Sequence, residues 1–469
     1  MIFSKYGFAF HVGNDVALYN SLRMKPIYLS DNKFKKIKEI VDKNVKLSQD
    51  LKCEIDELIK YKILVKEGDD EKILNFVKSV IPQPQINVCY FILSEQCNLA
   101  CKYCFLGNNN QEKRKRFKKE NMSKQTAMDG ILFFIKQLES ANFDENSKPT
   151  ILFYGGEPLL NFETLVFIVN KINELKKSCK VLEKVEFDLV TNGLLLNKQR
   201  LLKLNELGVN IGISIDGCNN ETNKMRVDIG GNFVFEKIIQ KLDLAKSLGV
   251  PISLSVTLTQ DSIKNKNDML ELVKKYNIKG FGFNILMSDE KISDLHYQKT
   301  SEFLIEMFKE LRKLGIYEDR MMRKVKSFAK SSVYFSDCAA TSGGQIVIAA
   351  NGDVGICQGC LYDRKYFVTN VLDENFNPTT NEIWQKFRHL SPPEKNECQE
   401  CEALGICGGG CPISAANEKV GNTIDSLDRR FCIHAKESLK FLISDLHRII
   451  TKGENSEIYE KCEVDKLAR

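Results

Sequence analysis

Cys97-Asn98-Leu99-Ala100-Cys101-Lys102-Tyr103-Cys104-Phe105 is the stretch on which the fold turns. Its spacing is C-x3-C-x2-C. Three thiolates on one short loop can hold three irons of a [4Fe–4S] cube. With no fourth cysteine close by in sequence, one iron would stay open, and an open iron implies chemistry there. A fourth thiolate would close a ferredoxin-type cluster. A zinc knuckle or buried apolar cysteines remain alternatives on spacing alone, although zinc usually takes paired C-x2-C units.

Around this loop the chain alternates short apolar strands with amphipathic helices. Strands are predicted at residues 88–93, 150–154, 185–190, 209–215, 252–258 and 280–285, and helices at 122–138, 162–175, 198–207 and 233–248. Such alternation predicts a parallel sheet covered on one or both faces. Six βα units make an open or partial barrel. The three-cysteine loop, Gly155-Gly156-Glu157-Pro158, Thr191-Asn192-Gly193 and Asp216-Gly217 each follow a strand. That is the edge where these sheets bind ligands.

Residues 1–85 form a first unit. It has short strands at 8–12 and 17–19, a helix with Asp31 as N-cap and Phe34, Ile37, Ile40 and Val41 on one face, and a second helix near 53–61. Ile63-Leu64-Val65 and an acidic turn follow, suggesting a winged-helix-like module. Ile81-Pro82-Gln83-Pro84-Gln85 reads as a linker. In residues 326–469 cysteines and glycines dominate until a last helix at about 434–450.

Composition sets limits. The chain has 469 residues, 43% hydrophobic and 28% charged, as expected of a soluble globular protein with sizeable cores. The N-terminus lacks a signal-peptide pattern, and no apolar run approaches the ~18 residues of a membrane span. A cytoplasmic enzyme without membrane contact is expected. Of 16 cysteines, eight crowd between Cys338 and Cys432, and in a reducing compartment such clustering favours metal over disulfides. The net charge of +6 counts thiolates as neutral, so it implies no nucleic-acid partner. The basic run at 113–119 is a solvated face or a docking patch for an acidic partner.

The cysteine loop with an aromatic before its last cysteine, then Gly-Gly-Glu-Pro, then Ser214-Ile215-Asp216-Gly217, resembles the radical S-adenosylmethionine (SAM) superfamily over roughly residues 86–290. The resemblance implies that SAM occupies the open iron of the Cys97, Cys101 and Cys104 cluster and is cleaved to a 5′-deoxyadenosyl radical. It implies that Gly155, Gly156 and Glu157 meet the methionyl amine, that Ser214 contacts the ribose, and that Arg226 pairs with the SAM carboxylate. Tyr103 and Leu258 would contact adenine, and Asn192 is expected to line the pocket. No catalytic base is singled out.

Cys398-x2-Cys401-x5-Cys407-x3-Cys411, with Cys432 downstream and Cys338 and Cys357 upstream, resembles the SPASM domain, which binds two auxiliary [4Fe–4S] clusters. The resemblance assigns Cys338, Cys357 and Cys411 to the first and Cys398, Cys401, Cys407 and Cys432 to the second. Cys360 departs from the pattern: it completes the first cluster or stays free. Cys53, Cys89, Cys179, Cys218 and Cys462 are packing or surface thiols.

The expected architecture is therefore a winged-helix-like recognition unit (1–85), a partial (β/α)6 TIM-like barrel (86–325) and a SPASM domain with a C-terminal helix (326–469). The expected cofactors are three [4Fe–4S] clusters and SAM. Such chains resemble maturases of ribosomally made peptides. The leader of a precursor peptide would bind residues 1–85, a flavodoxin- or ferredoxin-type donor would supply electrons, and the product would carry a cross-link, first a Cys thioether. Carbon–carbon cyclisation and the formylglycine chemistry of anaerobic sulfatase-maturating enzymes are the alternatives. The latter relatives place aspartate after the cysteine matching Cys357, where this chain has Gln358.

Overall fold

Period-two alternation shapes the molecule, seen here in a computed structural model that describes residues 1–43, 49–106, 120–141, 147–287, 293–417 and 422–452. The basic run at 113–119 and Cys462 lie outside the described residues.

The first unit contains β1 (Ile2–Phe3), β2 (Gly7–Val12), β3 (Asp15–Asn20), β4 (Ile27–Ser30), α1 (Asp31–Lys43), α2 (Lys52–Lys60), β5 (Leu64–Val65) and α3 (Asp69–Ser79). β2, β3 and β4 form an antiparallel meander, while β1 pairs with β5. The capping expectation is corrected: α1 begins at Asp31, and Ser30 Oγ accepts the Lys33 N–H at 3.4 Å. The acidic stretch read as a turn opens α3, with Asp69, Asp70 and Glu71 in its first turn, where the helix dipole favours anions.

The central sheet holds β6 (Val88–Ser94), β7 (Thr150–Gly155), β8 (Glu186–Thr191), β9 (Val209–Ile215), β10 (Ile252–Leu258), β11 (Gly280–Ile285) and β12 (Tyr317–Glu318), all parallel. Between and after them run α4 (Lys124–Glu139), α5 (Phe162–Leu175), α6 (Lys198–Glu206), α7 (Phe235–Ser247), α8 (Lys266–Tyr276), α9 (Asp294–Lys313) and α10 (Asp319–Lys330). One face of each of β6 to β11 is buried in the main core: Phe91, Phe153, Leu189, Ile213, Val256 and Phe283 lie there. The opposite face, with Tyr90, Tyr154, Ser214, Ser255 and Thr257, is half-buried.

The sheet does not stop at residue 325. β13 (Gln345–Ile348) adds parallel to β6, and β14 (Asp353–Gly355) and β15 (Phe367–Asn370) continue antiparallel, giving an open ten-stranded sheet. The chain ends, among the described residues, with α11 (Glu382–Arg388), the short α12 (Leu404–Cys407) and α13 (Pro412–Asn417), and α14 (Arg429–Lys452). The Ile81–Pro82 stretch is pinned: Arg388 donates to the Pro82 and Ile81 carbonyls at 2.8 and 2.7 Å. The first unit shares a core with the C-terminal part, since Val12, Ala17, Tyr19 and Met24 pack with Met321, Ile406, Leu439 and Leu442. Tyr28 Oη also donates to the Ile443 carbonyl at 2.7 Å. No described helix is long and apolar enough to cross a membrane.

Candidate active site

The three-cysteine loop leaves the C-terminal end of β6 and lies along residues 225–228. Ala100 N–H bonds Val227 O at 2.8 Å and Lys102 N–H bonds Met225 O at 2.7 Å. Two glycines let the neighbouring β7 turn close on it. A Cβ on Gly156 would stand 2.1 Å from the Gln96 carbonyl oxygen; one on Gly155, at φ +143°, would stand 2.3 Å from that of Ser94. Gly156 and Glu157 N–H groups bond those same carbonyls at 2.8 and 2.7 Å. The close backbone approach these glycines permit is to the carbonyls of the segment that leads into the cysteine loop.

Glu157 is 1% exposed. Its Oε1 accepts from Thr191 Oγ1 (2.7 Å) and Leu159 N (3.0 Å), and its Oε2 from Asn192 N (2.9 Å). The carboxylate thus clamps the turns after β7 and β8 together. Burial pushes its pKa up, and these donors pull it back. Asn192 is delivered by that clamp to the cysteines: its Nδ2 lies 3.9 Å from Cys97 Sγ and 2.8 Å from Asn98 Oδ1.

Tyr103, Arg226 and Asp216 meet on the other side of the loop. Arg226 Nη2 donates to Asp216 Oδ1 at 2.8 Å and to Tyr103 Oη at 2.6 Å, and Tyr103 Oη donates to Asp216 Oδ1 at 2.6 Å. Arg226 Nε and Asp216 Oδ2 are buried without a partner. The same guanidinium offsets the rise that burial imposes on Cys101, whose thiol is pushed up to about 11. Asp216 was not among the expected site residues; its position two after Ser214, at a strand end, was the available signal.

Ser214 lies on the half-buried face of β9, opposite Ser255 of β10. Leu258 is not brought to that face. It is 1% exposed and shares the core side of β10 with Leu254 and Val256.

The C-terminal cysteines fall into two groups. Cys411 lies within electrostatic reach of Cys338 and Cys357, and the Cys360 thiol lies against that of Cys357. Cys398, Cys401, Cys407 and Cys432 lie within reach of one another. Among the described residues no three metal-ligating side chains close around a point as one ion requires. A four-iron cube is wider than an ion, so its thiolates stand further apart.

The donor chemistry fits a cluster with SAM beside it. Three sulfurs sit on one loop, and a buried guanidinium keeps an unused donor next to it. Glu95, two residues before Cys97 and 3% exposed, is ion-paired with Arg364 of the loop that follows Cys360. That pair ties the first cysteine loop to the C-terminal cysteines.

Comparison with known proteins agrees with this geometry. The radical SAM superfamily profile matches residues 91–264. The chain is 27% identical over 375 residues to the radical SAM cyclopropyl synthase TigE of Paramaledivibacter caminithermalis, covering 76% of this chain and 74% of that one. It is 25% identical to a cysteine-type anaerobic sulfatase-maturating enzyme of Clostridium perfringens, covering 70% of this chain and 89% of the relative. In fold it is similar to Streptococcus suis SuiB bound to precursor peptide SuiA, with a TM-score of 0.53 and 15% identity, over 91% of this chain and 98% of that one. Residues 91–264 thus match a radical SAM domain, a family that implies SAM and an iron–sulfur cluster as cofactors, and the named relatives are enzymes.

Proposed function

We propose that this enzyme takes a hydrogen atom from a ribosomally made precursor peptide and installs a cross-link, first a Cys thioether. The observation that carries the reading is the gathering of the cysteines into three groups, Cys97 with Cys101 and Cys104, Cys338 with Cys357, Cys360 and Cys411, and Cys398 with Cys401, Cys407 and Cys432. In this reading residues 326–469 are a SPASM-type domain with two auxiliary clusters, and residues 86–325 are the radical-generating partial barrel.

When bound, the first cluster and SAM supply a 5′-deoxyadenosyl radical. The chain's own residues hold and orient. Arg226 offers Nε to the SAM carboxylate, a task suited to a guanidinium. Asn192 steadies the Cys97 side of the loop, and Ser214 presents a hydroxyl from the open sheet face. Tyr103 holds Arg226 in place. The two C-terminal cysteine groups would hold clusters, which would supply an acceptor for the electron left when a cross-link forms. Residues 1–85 act as a winged-helix-like unit that accepts the leader as an added strand at a free edge of the meander, β2 or β4. Cys97, Cys101 and Cys104 would hold the cluster that a flavodoxin- or ferredoxin-type partner would reduce.

Similarity to TigE, a cyclopropyl synthase by name, favours carbon–carbon bond formation as the second reading. Formylglycine formation is the third. Against it, Gln358 stands after Cys357, and its Oε1 accepts from Gln345 Nε2 of β13 at 3.2 Å.

The test is anaerobic incubation of the reconstituted enzyme with SAM, a reductant and the short peptide encoded beside its gene. The expected result is 5′-deoxyadenosine and a peptide two hydrogens lighter with one fewer alkylatable thiol. An unchanged thiol count at the same mass loss selects the carbon–carbon reading. Absence of 5′-deoxyadenosine and of any mass change overturns the proposal.

A further inference from the structure

α10 carries three cations along five positions, and they are not treated alike. Arg320 Nη1 lies 3.2 Å from Asp337 Oδ2, and Arg323 pairs with Asp319. Lys324 is wholly buried, and among the described residues no carboxylate lies at ion-pair distance from it. Its Nζ instead donates to the carbonyls of Ile406 (3.4 Å) and Cys407 (3.2 Å), at the end of α12. His434, also buried here, has both ring nitrogens unpartnered and supplies no anion, and the buried Asp337, within electrostatic reach of Lys324, is already paired with Arg320.

An ammonium sealed from water without a counter-ion is strongly unfavourable. Asp337, shared with Arg320, offsets that cost only in part, and the adjoining thiols are a further source of negative charge. Four thiolates around a doubly positive four-iron core carry a net charge of minus two, and Cys407 belongs to the group of four beside Lys324.

We propose that Lys324 is the built-in counter-ion of a cluster held by Cys398, Cys401, Cys407 and Cys432, and that it raises the potential at which this cluster accepts an electron. The inference rests on the reading of those four thiols as a cluster site. The redox step is a one-electron transfer: a substrate-derived carbon radical is oxidised, the cluster is reduced, and its net charge goes from minus two to minus three. No bond to Lys324 forms or breaks, and its ammonium keeps its protons. Lys324 is a positioning residue in this scheme, acting on the potential of the cluster rather than on substrate.

The test uses the full-length, anaerobically reconstituted chain with Cys97→Ala, Cys101→Ala and Cys104→Ala, so that only auxiliary signals remain in an EPR-monitored redox titration. The signal abolished by Cys432→Ala is the one at issue. Lys324→Met removes charge and donor; Lys324→Gln removes charge but keeps an N–H for the two carbonyls. Both are expected to lower that midpoint. The expected fall in the reduced-to-oxidised ratio at fixed potential is about tenfold, equivalent to about 59 mV for one electron. The other auxiliary signal should stay in place. An unchanged midpoint in Lys324→Gln overturns the proposal, as does an equal shift of both auxiliary signals. A wild-type chain with no signal sensitive to Cys432→Ala overturns the cluster reading itself, and the Lys324 proposal with it.

Discussion

Arg226 reaches Asp216 across 2.8 Å with both side chains buried, and each keeps one polar atom without a protein partner. A pair that needed only each other would use both forks of the guanidinium. Here Nη2 serves Asp216 and Tyr103 together, leaving Nε unused beside the cysteine loop. The arrangement leaves a buried guanidinium with a free donor beside the cysteine loop, the donor that the proposed function gives to the SAM carboxylate.

Arg226→Lys keeps the charge and loses the planar fork. SAM binding to the reconstituted enzyme is expected to weaken at least about tenfold, roughly 1.4 kcal/mol. Asp216→Ala strands a buried guanidinium and should cost about 3–5 kcal/mol of stability. Equilibrium SAM binding and denaturant midpoints check the two effects separately. Wild-type SAM affinity in Arg226→Lys would remove Arg226 from the carboxylate role.

Gly156 tests the fit between the β7 turn and the cysteine loop. Its Cβ would collide with a backbone carbonyl that cannot swing away, since Gln96 O also accepts the Glu157 N–H. Gly156→Ala should cost about 1–3 kcal/mol and lower the iron bound through Cys97, Cys101 and Cys104. Gly282 of β11 is the control, because a Cβ there meets nothing within 4 Å. Gly282→Ala should change stability by no more than about 0.5 kcal/mol. Equal losses in the two variants would show that close approach is not the reason for Gly156.

The sheet was legible because each strand reports its own faces locally. β9, β10 and β11 run over the stretches where apolar residues alternate or crowd between turn signals. The three-cysteine loop was legible as one feature because its three cysteines are neighbours in sequence. What stayed hidden was non-local. β13 pairs with β6 across most of the chain, and nothing within residues 345–348 announces it. Glu95 meets Arg364 over a separation of 269 residues. The Asp216–Arg226 pair has a similar cause: Arg226 read as a ligand for SAM alone, because no sequence pattern states which carboxylate will share its pocket.

Glu318 offers a pH signature independent of any cofactor. It is fully buried and caps α10, accepting the Arg320 and Met321 N–H groups at 2.9 and 2.8 Å. Burial pushes its pKa from 4.5 up to about 7, against the pull of those donors. An acid whose pKa is raised on folding contributes stability fully below its unfolded pKa and loses it as pH climbs through the folded value. The window is therefore about pH 4.5 to 7, and the loss is about 3 kcal/mol. Glu318→Gln cannot titrate there. The stability of the wild type relative to this variant should fall by that amount between pH 4.5 and 8 in denaturant titrations. A constant difference across the window would contradict the assignment.

Cys360 decides whether the first auxiliary group is closed. Its side chain is 3% exposed and its thiol lies against that of Cys357, on the same turn that brings Gly359 N–H to 3.3 Å from Cys357 Sγ. A free cysteine meant to leave an iron open for a substrate thiol would have to stand aside, and this one lies against Cys357. As a fourth ligand it gives the chain about 12 irons when fully loaded, four for each of three clusters. Cys360→Ala should then lose iron from that group, or leave a three-iron cluster with its own EPR signal, while the Cys97 cluster still responds to SAM. If Cys360 is instead a free thiol, the variant keeps its full iron complement. Iron analysis and EPR on matched preparations of wild type and Cys360→Ala separate the two outcomes, and retention of all the iron in the variant would reopen the first auxiliary site to an external ligand.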